Sequence, residues 1–189
     1  MKDPKVKHAM SRVPRADFLP EELKHLAGRD APLPIGEDQT ISQPSLVARM
    51  TEALHINGNS RVLEVGTGCG YQTAVLAEIA REVLTIEIRP RLSEIAQETL
   101  KTLDYTNIRF KIGDGTKGWE EFAPFDAIIV TAASEEIPQA LIDQLKTGGI
   151  LIVPVGPTHE TQDLLSVKKT PEGVETQSLV PVRFVPIAH

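Results

Sequence analysis

The chain has 189 residues, with 20 Lys+Arg against 26 Asp+Glu, a formal charge of −6 with neutral histidines. A single domain of this size buries roughly 70% of the surface its unfolded chain exposes, so a core needs no disulfide or metal to hold it. Its 41% hydrophobic and 24% charged residues exclude a disordered or fibrous chain, its acidity disfavours a broad nucleic-acid-binding face, and its single cysteine, Cys69, excludes an internal disulfide.

Residues 5–28 are mostly polar with short helical patches, and residues 30–41 read as irregular loop. Leu46, Val47, Met50, Ala53 and Leu54 mark one face of a helix that opens near Pro44. From residue 60 strands and helices alternate. Arg61–Val65 is a short apolar run ending in glycines, and Val75, Leu76, Ile79 and Ala80 share a helix face after it. Val83–Ile88 is the next strand. Leu92, Ile95, Ala96, Thr99, Leu100 and Leu103 recur at helical spacing beyond it.

Ile108–Ile112 and Phe125–Val130 are further strands; a helix from Pro138 through Leu145 is expected to stop at Gly148-Gly149, ahead of a fifth strand at Ile150–Val155. Strands joined by helices of this length need crossovers and make a parallel sheet covered on both faces. Asp163–Lys168 and Val174–Val180 flank the turn sequence Thr170–Gly173 and extend the sheet as antiparallel strands, with Arg183–Ile187 as one more at an edge. The expected division is a helix-and-loop cover over 1–58, an α/β core over 59–156 and C-terminal strands over 157–189, all within one domain. The N-terminus lacks the apolar stretch of a secretory signal, and no apolar run approaches the ~20 residues of a membrane span. A cytoplasmic protein is expected.

The densest chemical signal is Glu64–Gly70, directly after a strand and opening a helix. Gly66, Gly68 and Gly70 permit a tight turn and close approach of a ligand to the backbone. The spacing is G-x-G-x-G, with Tyr71 where a dinucleotide fingerprint places its third glycine. A turn without a ligand accounts for these glycines alone. Two acids stand at the following strand ends. Glu87 is placed to accept from both ribose hydroxyls, and Asp114, before Gly115, to accept from an adenine amino group. Together the three features describe a nucleoside site without a diphosphate, which fits S-adenosylmethionine better than NAD.

Leu33–Gly36, Gln39–Pro44, Val62–Gln72, Gly113–Gly115, Ala123–Ala132 and Val182–Pro186 together resemble the protein-L-isoaspartate O-methyltransferase family, from about Val13 to Ile187. Many methyltransferases share the glycine motif. Gln39–Pro44 and Val182–Pro186 are more particular to this family. The resemblance implies a Rossmann-like methyltransferase fold with a changed order of the last strands. It implies methyl transfer from S-adenosylmethionine to L-isoaspartyl, and more poorly D-aspartyl, carboxylates of damaged proteins, initiating repair through a succinimide.

The resemblance further makes Ser42 the catalytic side chain, between cofactor and substrate. It assigns Thr40, Ile41, Ser42, Gln43, Glu64, Gly66, Gly68, Gly70, Glu87, Ile88, Asp114, Gly115 and Thr131 to the cofactor, and Ile35, Ser42 and Arg183 to the substrate. A guanidinium at Arg183 suits the second carboxylate of an isoaspartyl residue. Plainer readings stand beside these: Ser42 capping the helix that starts near Pro44, and Arg183 as a surface arginine.

A carboxylate acceptor is already ionised, so no strong base is required, and His8, His25, His55, His159 and His189 show no acid–base or metal pattern. No metal is expected, and the expected assembly is a monomer that binds damaged proteins and neither nucleic acid nor membrane. Cys69 is expected to fill space, and Trp119 and Phe122 to pack rather than stack on adenine. Against the family pattern the chain begins late, by a helix of about 20 residues, and stops at His189 without a polar tail. Asp38 stands where a small residue is usual, and Ser45 where an aromatic is common. Rival readings are a same-fold methyltransferase for the aspartate of a dedicated peptide, a non-catalytic cofactor binder and a dehydrogenase.

Overall fold

The computed structural model describes residues 2–158 and 160–188; Met1 and two of the five histidines, His159 and His189, lie outside them. The cover holds α1 (Pro4–Arg12), two 3₁₀ turns (Arg15–Phe18 and Glu21–Leu26), β1 (Leu33–Gly36), β2 (Gln39–Ile41) and α2 (Pro44–Ala53). Then come β3 (Arg61–Val65), α3 (Tyr71–Ala77), β4 (Glu82–Glu87), α4 (Pro90–Thr102), β5 (Ile108–Ile112), β6 (Phe125–Val130), α5 (Gln139–Asp143), β7 (Leu145–Val155), β8 (Gln162–Thr170) and β9 (Gly173–Val182). One seven-stranded sheet has the order β5-β4-β3-β6-β7-β8-β9. Pairs from β5 to β7 are parallel, whereas β7–β8 and β8–β9 are antiparallel. The strand order reverses at β3, which starts the parallel set and lies between β4 and β6. An open α/β sheet forms its crevice at such a switch point, outside the carboxyl ends of the strands.

Side chains alternate between two cores. Val62, Val83, Ala127, Ile129 and Ile152 face the layer of α1, α2, α3 and α4, while Leu63, Leu84, Ile128, Val130 and Leu151 face Leu141 of α5. Burial on both faces explains why these strands read as unbroken apolar runs. All seven residues of α3 are buried, because α1 covers the side turned away from the sheet. Phe18 meets Tyr71 edge-on with centroids 5.6 Å apart, and Arg12 pairs with Glu78 at 3.2 Å.

Three expectations are corrected. Residues 33–41 form a β-hairpin, not a loop: Leu33 pairs with Ile41 and Pro34 with Thr40. Its tip places Glu37 and Asp38 at φ 52° and 56°, the backbone of a two-residue turn that usually recruits Asn or Gly. The helix near Pro138 spans only Gln139–Asp143, and β7 already begins at Leu145. Gly148-Gly149 therefore lie within a strand, where the register slips from Phe125↔Leu145 to Ala127↔Ile150. A Cβ on Gly149 would stand 2.9 Å from the Lys146 carbonyl and 3.0 Å from that of Asp126. Finally, Arg183–Ile187 is not a strand beside β9. It turns back to the end of β6, where Ala133 donates to Val185 O (2.8 Å) and Ile187 donates to Ala133 O (2.7 Å).

Under the turn that follows β3 lies a polar chain inside the first core. Glu64 is fully buried, and its Oε2 accepts from Thr73 (2.5 Å) and Thr85 (2.7 Å). Thr85 has one proton and spends it on Glu64, so Thr67 donates to Thr85 at 2.6 Å. Burial pushes the Glu64 carboxyl up to about 8, against the two threonine bonds. The native state thus holds a proton that the unfolded chain releases near pH 4.5. Stability falls as pH rises from that value to about 8, by at most about 1.4 kcal/mol per pH unit from this group. Urea unfolding at pH 6 and pH 8 without cofactor is expected to show a larger loss for the native protein than for Glu64→Gln. Equal losses in the two proteins would refute a protonated Glu64.

Candidate active site

The turn Gly66–Gly70 carries the chain from β3 into α3 across the switch point. The Gly66 amide donates to Ile86 O at 2.8 Å, tying the turn to the end of β4. On the other side, Thr131 donates its amide to Val65 O (2.9 Å) and its hydroxyl to Gly66 O (2.6 Å). Gly66 has φ 96°, and a Cβ there would collide with the Thr131 hydroxyl. The end of β6 can close on the turn only if this residue has no side chain.

Glu87 ends β4 beside this turn. It is 5% exposed, and its two oxygens accept from Gly68 N (2.8 Å) and Arg89 N (3.1 Å). Each oxygen has a second lone pair, so the carboxylate keeps capacity for two more donors, the number a ribose diol supplies. The turn itself offers Thr67 and Cys69 with backbone amides and no cationic side chain, a poor match to a diphosphate and a good one to an uncharged nucleoside. Burial pushes the Cys69 thiol up to about 12, which makes it a space-filling side chain with no nucleophilic thiolate at neutral pH.

One cleft over these strand ends brings most of the expected residues together. Thr40, Ile41, Ser42 and Gln43 enter it from the cover, Gly66 and Gly68 from the turn, and Glu87, Ile88, Gly115 and Thr131 from the strand ends. Arg183 enters from the segment after β9. Glu64, Gly70, Asp114 and Ile35 stand behind the lining. Glu64 supports the turn from below. Gly70 begins α3 where a Cβ would lie 2.9 Å from Leu100 Cδ1. Asp114 accepts from the Thr116 amide (3.0 Å) and hydroxyl (2.6 Å) and pairs with Lys117 at 3.3 Å. Burial opposes its charge, but these bonds hold it below its ordinary value. Ile35 packs at the turn, 3.6 Å from where a Gly68 Cβ would lie.

Ser42 does not cap α2. Gln43 occupies the N-cap position without a side-chain bond, and Asp30 from the preceding loop accepts from the Ser45 amide at 2.9 Å. That bond holds the Asp30 carboxyl below its ordinary range. Among the described residues the Ser42 hydroxyl has no hydrogen-bond partner, while its carbonyl accepts from Arg15 Nη2 at 3.1 Å. Arg183 is exposed at the cleft and has no ion-pair partner among the described residues. Trp119 and Phe122 pack edge-on at 5.1 Å in the second core, away from the cleft.

The cleft also contains Met50, Gln72, Arg89 and the tail Phe184–Ala188, which the sequence motifs did not assign. Gln72 followed the glycine motif in the sequence, and its partner Thr51 (3.0 Å) sits on α2. The tail reads in the sequence as an edge strand and, over Val182–Pro186, as a family motif, with only Arg183 placed at the site. Arg15, which with Asp17 is one of the two charged residues in Val13–Leu19, belongs to no motif.

The family model described as Protein-L-isoaspartate(D-aspartate) O-methyltransferase (PCMT) matches residues 1–189. A protein-L-isoaspartate O-methyltransferase of Gloeobacter violaceus is 54% identical over 181 residues, 96% of this chain and 88% of that protein. Its namesake from Picosynechococcus sp. is 52% identical over 185 residues, 98% and 82%. A solved protein-L-isoaspartate O-methyltransferase is 30% identical with a TM-score of 0.89; the match covers 99% of this chain, which spans 62% of that one. A second solved structure, from Plasmodium falciparum and described as a complex with S-adenosyl-L-homocysteine, is 27% identical with a TM-score of 0.84, covering 100% and 92%. With its full length inside one family model and half its residues shared with these bacterial relatives, the chain belongs to the protein-L-isoaspartate(D-aspartate) O-methyltransferase family.

Proposed function

We propose that this protein methylates the free carboxylate of L-isoaspartyl, and D-aspartyl, residues in damaged proteins, using S-adenosylmethionine. The backbone nitrogen of the following residue then closes on the ester carbonyl, methanol leaves, and the resulting succinimide takes up water and reopens partly to ordinary aspartate. The observation that carries this reading is the single cleft: Ser42 and Arg183, from opposite ends of the chain, line the same space as Gly66, Gly68 and Glu87.

When bound, S-adenosylmethionine supplies a methyl group on a positively charged sulfur. Glu87 holds the ribose hydroxyls through the acceptor capacity its two amide bonds leave. Gly66, Gly68 and Thr131 shape the floor, and Gly115 with Ile88 flanks the base. The acceptor carboxylate has a pKa of ~4 and is already ionised at neutral pH, so no residue has to remove a proton. The task is alignment, which can supply ~7–11 kcal/mol. The Ser42 hydroxyl, unspent on the protein, donates to the reacting carboxylate and fixes its orientation. The Arg183 guanidinium pairs with the second carboxylate. A groove along α2 and the end of β9, with Ser45, Arg49 and Pro181 in its wall, shares Pro32, Gln43, Leu46 and Arg183 with the cleft. It gives the substrate polypeptide a path past the site.

The chain forms one methyltransferase domain and works as a cytoplasmic monomer. Among the described residues no helix is long and apolar enough to cross a membrane.

Labelled S-adenosylmethionine with matched isoaspartyl, aspartyl and asparaginyl peptides is expected to give base-labile label on the isoaspartyl peptide alone; label on the aspartyl peptide instead would favour a dedicated aspartate methyltransferase. Ser42→Ala should fold, bind cofactor and methylate at least about tenfold more slowly, and near-native kcat would remove Ser42 from the reaction. Glu87→Ala should weaken cofactor binding by about tenfold or more in titration calorimetry; an unchanged Kd would show that the ribose is held elsewhere. Arg183→Ala should raise KM for the isoaspartyl peptide about tenfold with cofactor affinity unaltered. A KM within twofold of the native value would mark Arg183 as a surface residue.

A further inference from the structure

Arg15 is 6% exposed in the 3₁₀ turn after α1, and it faces no carboxylate within ion-pair distance among the described residues. Its terminal nitrogens instead donate to four main-chain carbonyls. Nη1 reaches Ala27 O (3.0 Å) and Arg29 O (3.2 Å), and Nη2 reaches Ala31 O (2.9 Å) and Ser42 O (3.1 Å). Nε is buried without a partner. Taking a guanidinium out of water without a counter-ion is costly, and burial lowers its pKa despite opposing influences from Tyr71, Cys69 and Asp30. An apolar side chain of similar volume could fill this space. Only a planar fork with donors on both arms can join the loop 27–31 to Ser42 in one rigid unit.

The same loop has a second tie to the segment beyond Ser42, through Asp30 and the Ser45 amide (2.9 Å). Ser42 is therefore bracketed: its own carbonyl is gripped by Arg15, and the helix three residues on is anchored by Asp30. Its hydroxyl is left without a protein partner.

We infer that Arg15 is a positioning residue for methyl transfer, which sets the place of the Ser42 hydroxyl by holding the Ser42 carbonyl. This rests on the role given to Ser42 above. Lysine keeps the charge but brings its donors to one point, so it cannot span four carbonyls.

The test is a double-mutant cycle of native protein, Arg15→Lys, Ser42→Ala and the double variant, each measured for melting temperature, cofactor KM and kcat on an isoaspartyl peptide. The expected result is a kcat about tenfold or more lower in Arg15→Lys, with cofactor KM within about threefold, and a double variant no slower than Ser42→Ala within about twofold. Two outcomes overturn the inference. In one, Arg15→Lys melts lower but keeps native kcat, the signature of a purely structural arginine. In the other, the two losses multiply, which means that Arg15 does not act through Ser42. A fully active Ser42→Ala overturns the reading of Ser42 itself and is seen separately. If Arg15→Lys does not melt cooperatively, Arg15→Gln, which keeps a planar donor group without the second arm, enters the same cycle, with the same outcomes for and against.

Discussion

The site depends on how closely the end of β6 can approach the turn after β3. Thr131 donates both its amide and its hydroxyl to the backbone at Val65 and Gly66, and the Gly66 amide reaches across to β4. Three neighbouring strand ends are thereby stitched into one floor. A buried backbone group without a partner is expensive, so these bonds are what permit the chain to leave the sheet here and still be desolvated. The opening at the switch point, the placement of Glu87 beside Gly68, and the entry of α3 all follow from this seam.

Beneath the seam the molecule accepts a buried acid, and behind Ser42 a buried cation. Glu64 is tolerated because it is held neutral and takes two threonine donors, one of which relays from Thr67 in the turn. Arg15 is tolerated because four carbonyls share its charge. Arg15 spends its bonding on loop backbone, whereas Glu64 spends its own on Thr73 of α3 and Thr85 of β4, the latter tied to Thr67 in the turn. Rigidity in loops is hard to obtain from apolar packing alone. Both groups supply it behind the cleft lining, Glu64 through Thr85 and Thr67 of the glycine turn and Arg15 through the Ser42 carbonyl.

Much of this was legible beforehand, and the reasons are physical. The strands from Arg61 to Val130 were readable because both faces are buried, which leaves uninterrupted apolar runs punctuated by glycine or proline. The antiparallel β8–β9 pair was readable from its turn sequence. The hairpin at Leu33–Ile41 was hidden because its tip uses Glu37 and Asp38 where turn statistics expect Asn-Gly. The early start of β7 was hidden because Gly148-Gly149 resemble a helix stop, whereas here Gly148 supplies a positive φ of 85° and Gly149 relieves crowding against Asp126 and Lys146. Most residues of the cleft lining stand in motifs that the sequence displays; which of them face the cleft and which stand behind it was not legible. Glu64 is the penultimate residue of β3 and Glu87 the last of β4, and so one is sealed behind the turn while the other opens on the cleft.

The amino-acid sequence by itself determined the alternating α/β architecture, the glycine turn, the acids at the strand ends and the family that Gln39–Pro44 and Val182–Pro186 mark. Those properties are local: they follow from the order and period of side chains along one segment. Only the tertiary structure decided that Ser42 is released from capping by Asp30, that Arg15 grips its carbonyl, and that the tail after Val182 returns to Ala133 to wall the cleft. Each of these is a hydrogen bond between segments distant in the chain, or a loop held against one. No periodicity within a single segment encodes such a contact.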